Sequence, residues 1–320
     1  MILTPSKKII RPNSSFRTLD DLRRRKQIRP SDAALRLQAT IAVSERGRCL
    51  GKETFPCRSF NATWMRIMKL LMLSAEANLN QSGGTELQAM GLVSEDNLYV
   101  ISTTPSYFDW IGPVIGVGTT AQTPNDTRME KQMTHGSAAP NASVLTGTTH
   151  ASQSTTSAVY DNGGKSFAND QYNHYFIEIT SGALSGQERI ILDTYDSTPD
   201  YVVVASTSIG NVAGHFASEP DGVTYKIKTY GMMTHGSVGI TEPEDDGDLT
   251  STMTITRTFA NGCGETLEVT EFGLKIRMAS DIPSGYMYAY PLVVRDVRET
   301  AVSIANGQEL TLTYTFACEA

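Results

Sequence analysis

Cysteine is scarce in this sequence of 320 residues, which contains four of them: Cys49, Cys57, Cys263 and Cys318. They lie far apart and none forms a C-x-x-C pair. The sequence therefore lacks both a disulfide framework and the ligand spacing of a zinc site. We expect all four to be buried or half-buried thiols of a protein made in a reducing cytoplasm.

Long hydrophobic runs are also missing. No stretch reaches the ~18 uninterrupted apolar residues that a membrane-spanning helix needs. Residues 1–12 lack an apolar segment followed by a small-residue cleavage site, so no secretory signal and no membrane association are expected. Charged residues make up only 19% of the chain, and Thr, Ser and Gly are abundant, which favours many short strands over long helices.

The known catalytic motifs are absent as well: there is no G-x-S-x-G, no H-E-x-x-H and no evident nucleophile–base arrangement. The segment GPVIGVGTT at 112–120 is followed by Thr, Pro and Asn where a dinucleotide-binding helix would begin, so it predicts a strand and a turn. The segment NGGKS at 162–166 ends like a phosphate loop, but Val159 occupies the place of its leading glycine. We therefore predict no enzyme and name no catalytic residue.

Two metal-site hypotheses stay open at this point. His135 and His235 could form a two-histidine site if the segments that hold them pair; ordinary histidines at strand ends are the favoured alternative. The acidic run at 242–248 could hold a hard cation, although it lacks the EF-hand spacing. A solvated loop, or a landing site for a basic segment, is favoured there, and we predict no metal and no cofactor.

Charge is distributed very unevenly along the chain. Residues 1–60 hold 14 of the 27 Lys and Arg but 5 of the 34 Asp and Glu, a balance of 14 − 5 = +9. The rest holds 13 basic and 29 acidic residues, a balance of 13 − 29 = −16. A basic segment on an acidic body can dock on a copy of that body or on nucleic acid. Nucleic acid is the disfavoured partner, because Phe16 is the one aromatic residue in 1–40.

We call residues 1–30 the arm and predict that it is extended and contacts neighbouring subunits. The interface residues proposed on the arm are Arg11, Arg17, Arg23, Arg24, Arg25 and Arg29. The acidic acceptor proposed for them comprises Glu242, Glu244, Asp245, Asp246 and Asp248.

The periodicity of apolar residues predicts a mainly β fold with one helix. Alternation over 33–55 indicates a hairpin that turns at Glu45–Gly47. Apolar residues at i, i+3 and i+4 spacing predict an amphipathic helix over about 60–79. Strands follow from about 97 onwards, and Asn-Gly pairs at Asn261 and Asn306 predict hairpins.

One five-residue motif occurs twice and indicates how the chain is organised: Met-Thr-His-Gly-Ser begins at Met133 and again at Met233. We predict that the two copies lie in one sheet and bracket an inserted β module at 138–232; chance is the alternative. The predicted fold is an antiparallel β-sandwich with one amphipathic helix, an extended arm and this small module. The predicted domains are 1–58 (arm and hairpin), 59–137 (helix and first half of the sandwich), 138–232 (inserted module) and 233–320 (second half).

Several stretches resemble those of virion structural proteins of tailed bacteriophages, of the tail, neck and capsid-accessory type. They are Ser59-Phe60-Asn61 entering the apolar helix after the hairpin that contains Gly47, WIGPVIGVGTTAQTPNDTRMEKQMTHG, TRTFANGCGETLEVTEFGLKI and LVVRDVRETAVSIANGQELTLTYTF. The block DQYNHYFIEITSGALSGQERIILDTY is similar to a β module of phage appendage proteins, with His174 and Tyr175 replacing the usual Asn-Gly turn. Together they cover well over half of the chain.

The resemblance implies an architectural role in a virus particle and transfers no catalytic residue. The expected partners are copies of the chain itself, in a homo-oligomer, and other virion proteins. The expected location is the virion, most of all its tail or neck, after synthesis in the host cytoplasm. Two alternatives remain: a capsid decoration or cement protein, and an appendage protein whose module binds host-surface glycan. For the glycan, Tyr160, Tyr172, Tyr175, Tyr195 and Tyr201 are the candidate stacking residues.

Overall fold

A computed structural model gives the three-dimensional structure. It describes residues 34–57, 79–80, 86–87, 98–99, 111–123, 125–126, 128–205, 208, 213–241, 244–245, 250–282, 285–289 and 291–319. Within these ranges the chain is mainly β, as predicted, and its one helical element is a three-residue 3-10 turn, Gly182–Leu184. The predicted helix and the arm lie outside the described residues, except that Leu79 begins a short strand.

The strands are numbered along the chain. They are β1 (Ala34–Glu45), β2 (Arg48–Pro56), β3 (Leu79–Asn80), β4 (Glu86–Leu87), β5 (Leu98–Tyr99), β6 (Gly112–Gly116), β7 (Thr134–His135), β8 (Ser143–Thr148), β9 (Ala158–Tyr160), β10 (Phe176–Ile179), β11 (Glu188–Tyr195), β12 (Tyr201–Val204), β13 (Thr224–Lys228), β14 (Met232–His235), β15 (Gly239–Ile240), β16 (Glu244–Asp245), β17 (Thr250–Ala260), β18 (Leu267–Lys275), β19 (Arg277–Ile282), β20 (Gly285–Ala289), β21 (Leu292–Ile304) and β22 (Glu309–Glu319).

The largest sheet contains eight strands in the order β2-β1-β22-β17-β14-β7, with β15 and β16 also paired to β17. The predicted N-terminal hairpin is confirmed: β1 and β2 pair antiparallel around Arg46 and Gly47, which both have positive φ. β1 also pairs along its length with β22, so the first and last described strands are neighbours in this sheet.

Alternation along these strands explains which face of the sheet is buried. In β22, Leu310, Leu312 and Tyr314 are fully buried, and the residues between them are half-buried threonines. Side chains of a strand point alternately to its two faces, so one face of the sheet builds a core.

A three-stranded sheet, β21-β18-β6, shares that core. Phe272 and Leu274 of β18 belong to the same hydrophobic cluster as Leu312 of β22 and Phe259 of β17. β6 is buried throughout, as is β18 apart from Glu268, which accounts for their nearly continuous apolar sequences. The strand predicted for GPVIGVGTT is thereby confirmed as β6.

The hairpins predicted at Asn261 and Asn306 are wrong. β17 and β18 lie in different sheets, and so do β21 and β22, so both turns carry the chain from one sheet to the other. The two turns contact each other, because the Asn261 N–H donates to Gln308 O at 2.9 Å and the Gly307 N–H donates to Asn261 O at 2.8 Å.

The side chain of Asn261 holds this corner together. Its amide nitrogen donates to Glu265 O at 2.8 Å and to Ile304 O at 2.7 Å, and its oxygen accepts from the Cys263 N–H at 3.1 Å. Asn261 is buried, so these bonds satisfy backbone groups that water cannot reach. An Asn-Gly pair with such a side chain can close an inter-sheet turn as well as a hairpin.

A second body of structure lies between Ser143 and Lys228. Its six strands form one sheet, β8-β13-β10-β11-β12-β9, with a hydrophobic core of its own. The flanking strands β7 and β14 pair in parallel in the largest sheet, where Met233 is opposite His135. The prediction that the two Met-Thr-His-Gly-Ser segments share a sheet is confirmed, whereas the four domain boundaries stay a prediction.

Two small sheets complete the described strands. β19 and β20 pair antiparallel, and β5 adds to β19; β3 pairs with β4. Within the described ranges, no helix has the length and apolarity needed to cross a membrane.

Candidate functional site

The predicted arm interface falls largely outside the described residues. Arg11, Arg17, Arg23, Arg24, Arg25 and Arg29 are not among them, and neither are Glu242, Asp246 and Asp248. Of the acidic acceptor the structure describes Glu244 and Asp245, which form the short strand β16 opposite Thr252 and Ser251. The contact between arm and acceptor stays a prediction.

The two histidines of the repeated segments do meet. The His235 N–H donates to His135 Nδ1 at 3.0 Å, and the ring centroids lie 5.6 Å apart in an edge-to-face arrangement. His235 is buried and also packs edge-to-face against Phe259. Among the residues that the structure describes, no group of three or more His, Cys, Asp and Glu could hold a metal ion.

The most elaborate polar site is a buried group of charges that we call the Arg295 cluster: Asp126, Glu130, Glu271 and Arg295. All four side chains are at most 7% exposed. Arg295 Nε donates to Glu271 Oε1 at 2.6 Å, and its NH1 nitrogen donates to Asp126 Oδ2 at 2.7 Å. Its NH2 nitrogen lies 3.4 Å from Glu130 Oε2.

The carboxylates of the cluster also accept hydrogen bonds from the backbone of the segment 117–132. Glu271 accepts from the N–H groups of Glu130 at 2.6 Å and Lys131 at 3.1 Å. Glu130 in turn accepts from the N–H groups of Thr119 and Thr120. The cluster therefore fixes the path of this segment against the sheet β21-β18-β6.

Two glycines allow the segment to come this close. A Cβ at Gly118 would lie 2.5 Å from Glu271 Oε2 and 2.7 Å from the Glu130 side chain. A Cβ at Gly116 would lie 2.5 Å from Lys131 O, a backbone atom that cannot move aside. The second and third glycines of GPVIGVGTT are thus explained by close packing against Glu271 and the segment that contains Glu130 and Lys131.

Electrostatics favour the charged form of this guanidinium. Burial alone would lower the pKa of Arg295, but the charges and hydrogen bonds of Glu271 and Asp126 outweigh it and raise the pKa above the ordinary value. Arg128, also buried, has its pKa lowered to about 10 by burial, against the opposing influence of Tyr230, Glu271 and Glu130. A buried ion group of this kind is stable because each charge has hydrogen-bonded partners.

The segment held by the cluster contacts the six-stranded sheet. Val117 packs against Phe176 and Tyr230, and Lys131 Nζ lies 5.9 Å from the centroid of the Tyr230 ring. A second polar contact links the same two parts of the chain: Lys275 Nζ of β18 lies 3.2 Å from His174 Nε2, and both residues are buried. The Arg295 cluster therefore contributes to positioning the six-stranded sheet.

Sequence reasoning missed the four residues of the cluster. The information was present, because Glu271 stands in the apolar strand LEVTEFGLK and Arg295 in LVVRDV. A charge inside a strand that is otherwise buried requires a partner. Opposite charges in two such strands therefore predict an ion pair between the strands.

The tyrosines proposed to stack on glycan fall into two groups. Tyr172 is buried in the core of the six-stranded sheet, and Tyr175 packs against its ring. Tyr195, Tyr201 and Tyr160 are directly opposite one another on β11, β12 and β9, and their rings stack with centroids 4.6 Å apart. Both faces of the middle ring, Tyr201, are therefore covered by its neighbours, whereas Tyr195 at one end of the stack is 37% exposed. Packing is thus the role that the contacts give Tyr172, Tyr175 and Tyr201, and glycan stacking by the five tyrosines stays a prediction.

The six-stranded sheet carries a polar cleft of about 500 Å³ beside the edge strand β8. Its lining includes hydroxyls from β8, β13 and Thr180, and the charged side chains Asp161, Lys165 and Lys226. Asp161 is buried and organises one wall: it accepts from Tyr225 Oη at 2.6 Å and from the N–H groups of Gly163 and Gly164. Hydroxyls, amides and ammonium groups in this arrangement suit a hydrated polar ligand better than an apolar one.

A carboxyl pair on this sheet gives a pH-dependent prediction. The pKa of Asp170 is raised by burial and by the neighbouring Asp193 carboxyl, to which it is hydrogen-bonded. Because the folded-state pKa lies above the unfolded one, this contribution to stability is present at low pH and is lost as pH rises through the raised pKa.

Asp170→Asn should therefore stabilise the fold at pH 7 by about a few tenths of a kcal/mol, a small value because the site is partly exposed. The gain should shrink towards pH 3, below the unfolded-state pKa of 3.8, where Asp170 is largely protonated in both states. Urea unfolding midpoints at the two pH values measure this, with Asp196→Asn as the control. An equal gain at both pH values would contradict the carboxyl-pair explanation.

The described residues thus place two buried polar groups beside the six-stranded sheet, the Arg295 cluster and the Lys275–His174 contact. They place the open polar cleft on the sheet itself. No protein-family model, no curated protein and no solved structure matches this chain.

Proposed function

We propose that this chain is a non-enzymatic structural component of a virus particle, located in the tail or neck after synthesis in the host cytoplasm. The resemblance of its sequence segments to virion proteins of tailed phages is the starting point. The mainly β fold is consistent with this role. In this proposal the two sheets that share one core form a β-sandwich, and residues 138–232 are a module inserted into it.

The Arg295 cluster is the observation that carries the proposal. Three of the segments that resemble virion proteins converge there: the first contributes Asp126 and Glu130, the second Glu271 and the third Arg295. Each of these charged groups bonds within the chain and holds a backbone segment. The charged residues that these segments bring together are therefore used for architecture, which is what a building block of an assembly requires.

The mechanism of assembly that we propose is electrostatic docking of the arm. The arm and hairpin carry +9 and the remaining chain −16, so the arm of one copy is attracted to the body of the next. Closed or helical symmetry repeats each such contact, so a weak contact becomes strong through multiplicity.

Deletion of residues 1–30 tests this mechanism. The shortened chain should remain folded by circular dichroism but should lose assembly in sedimentation velocity and fail to enter particles. A full-length variant with Gln at Arg11, Arg17, Arg23, Arg24, Arg25 and Arg29 separates charge from length and should show the same loss. Normal particles from both variants would refute arm docking.

The polar cleft supports a second candidate function, in which the module of an appendage protein binds host-surface glycan. Its lining of hydroxyls and two lysines suits an acidic or neutral sugar, and this site replaces the tyrosines as the proposed location. A glycan array with the full chain should give hits that Lys226→Ala weakens and Lys52→Ala leaves unchanged. The alternative is that the chain is a capsid decoration or cement protein. The symmetry of its surroundings in an intact virion distinguishes a location on the capsid from one in the tail.

A further inference from the structure

The face of the largest sheet that points away from the core is composed almost wholly of threonine. We call it the threonine face and define it by the central positions of β1, β22 and β17: Thr40, Thr311, Thr313, Thr315, Thr254, Thr256 and Thr258, with Gln38 and Ala42 completing the rows. The residues that alternate with them, such as Ile41, Leu312 and Ile255, belong to the core. The threonines and Ala42 are half-buried and Gln38 is exposed.

Strand register aligns these residues in rows across the sheet. Thr40 is opposite Thr313, which is opposite Thr256; the row beside it runs through Gln38, Thr315 and Thr254. Neighbouring strands lie ~4.8 Å apart and alternate residues of one strand ~6.7 Å apart, so the side chains form a regular flat lattice.

The hydroxyl groups of this face largely satisfy one another. Thr256 and Thr313 are 2.9 Å apart at their Oγ1 atoms, and Thr258 and Thr311 are 3.1 Å apart. At the margins, Thr40 pairs in the same way with Thr54 at 2.8 Å, and Thr254 with Thr241 at 2.9 Å. A hydroxyl that already has a hydrogen-bond partner loses little free energy when water is removed from it. This surface can therefore be buried at a low desolvation cost, and its methyl groups supply contact area.

The face is also free of charge at all nine positions, although the chain carries 34 acidic and 27 basic residues. The charges nearest in register are at its borders: Lys52 on β2, Glu309 at the start of β22 and Arg36 on β1. A solvent-facing antiparallel sheet usually bears charged side chains. A neutral face can meet an identical face without repulsion, which the acidic surface elsewhere on the chain cannot do.

The threonine face is the centre of a larger surface that suits an interface between proteins. The nine defined positions cover on the order of 250 Å², and with the strand ends and the flanking strands β2 and β15 included, ~26 Å by ~24 Å, the surface reaches on the order of 600 Å² of flat area. A standard interface buries about 800 Å² per partner, which a rough rather than flat surface of this extent approaches.

We infer that the threonine face packs against the threonine face of a second copy of this chain. The two sheets then lie face to face ~10 Å apart, and a twofold axis relates identical surfaces. The inference rests on the proposed function as a self-assembling component and deepens it by naming a surface of contact. The contact surface itself contains no residue of the arm.

The test places charge at the centre of the face. Thr256→Lys/Thr313→Lys brings four ammonium groups together in a dimer, and the dimer dissociation constant from sedimentation velocity and light scattering should rise at least tenfold. The matched control is Thr300→Lys/Ser303→Lys, which adds the same charge at exposed positions of β21 in the three-stranded sheet and should leave the constant unchanged. Thr256→Val/Thr313→Val removes both partners of one hydroxyl pair and should retain association within about threefold.

Each outcome decides. The inference is overturned if the full-length chain is monomeric at every concentration. It is also overturned if the lysine variant is folded and associates like the parent, because the threonine face would then contact solvent or another segment of the chain. Circular dichroism and thermal unfolding of the lysine variant verify that it is folded. Should the variant fail to fold, Thr313→Lys and Thr256→Lys singly must each weaken association for the inference to stand. Incorporation into particles, measured in parallel, separates the two claims: association through this face without incorporation refutes the proposed function alone.

Discussion

Replacement of Arg295 by leucine should lower the free energy of unfolding by about 3–5 kcal/mol, because it removes one partner from a buried ion group. Asp126 and Glu271 would lose their direct partner at 2.7 and 2.6 Å, and their carboxylates would remain in surroundings from which water is excluded. Urea unfolding followed by fluorescence and circular dichroism gives the free energy and shows whether the transition remains cooperative.

Arg298→Leu is the matched control for this change. Arg298 lies on the same strand and forms an ion pair with Glu53 at 2.8 Å, but Glu53 is 54% exposed. An exposed pair contributes about 1 kcal/mol or less, so its loss should be small even with the Phe55 contact included. Arg295→Lys retains the charge without the forked geometry of the guanidinium. Its loss of unfolding free energy should lie between those of Arg295→Leu and Arg298→Leu. If Arg295→Leu costs no more than Arg298→Leu, the cluster does not hold the segment 117–132.

Asn261→Ala should destabilise the fold by about 2–4 kcal/mol, since two carbonyl groups and one N–H group at a buried corner lose their partner. The loss concerns the place where the chain passes between the two sheets, so the m-value should stay constant while the midpoint falls. Chemical denaturation at neutral pH measures both quantities.

Asn306→Ala is the corresponding change on the adjacent turn and the natural comparison. The Asn306 side chain accepts one hydrogen bond, from the Gly264 N–H at 3.0 Å, at an exposed site. Its removal should cost about 0.5–1 kcal/mol. Asn261→Asp keeps the acceptor and removes both donors, so it should be nearly as damaging as alanine. Equal effects at 261 and 306 would mean that the buried side chain of Asn261 is not what secures the corner.

Local sequence patterns were sufficient for the elements that depend on neighbours along the chain. Alternation of apolar residues predicted the N-terminal hairpin, and the Thr, Pro and Asn residues after GPVIGVGTT favoured the strand β6 over a dinucleotide-binding helix. The repeated Met-Thr-His-Gly-Ser predicted the pairing of β7 with β14. In each case the relevant partners are either close in sequence or marked by identical residues.

Patterns failed where the outcome depends on contacts that are distant in sequence. An Asn-Gly pair specifies a reversal of the chain but not whether the next strand returns to the same sheet. At Asn261 the inter-sheet turn is held by a hydrogen bond to Ile304 O, 43 residues away, as well as by one to nearby Glu265 O. Similarly, Arg295 is separated by 165 residues from Glu130 and by 24 from Glu271, so no local window contains the cluster. The neutrality of the threonine face becomes visible only when three strands are brought into register.

Because β7 and β14 pair in parallel as neighbours, the largest sheet does not constrain the length of the chain that connects them. Thr134 and Met232 are directly opposite each other, one strand spacing apart, although nearly a hundred residues separate them along the chain. The strands before and after this interval supply the hydrophobic cluster of the largest sheet without using the six-stranded sheet. Replacement of the interval by another domain, or by a short crossover, would leave that cluster intact. Relatives of this chain should accordingly differ most in length between β7 and β14, where the largest sheet tolerates inserted domains of different size.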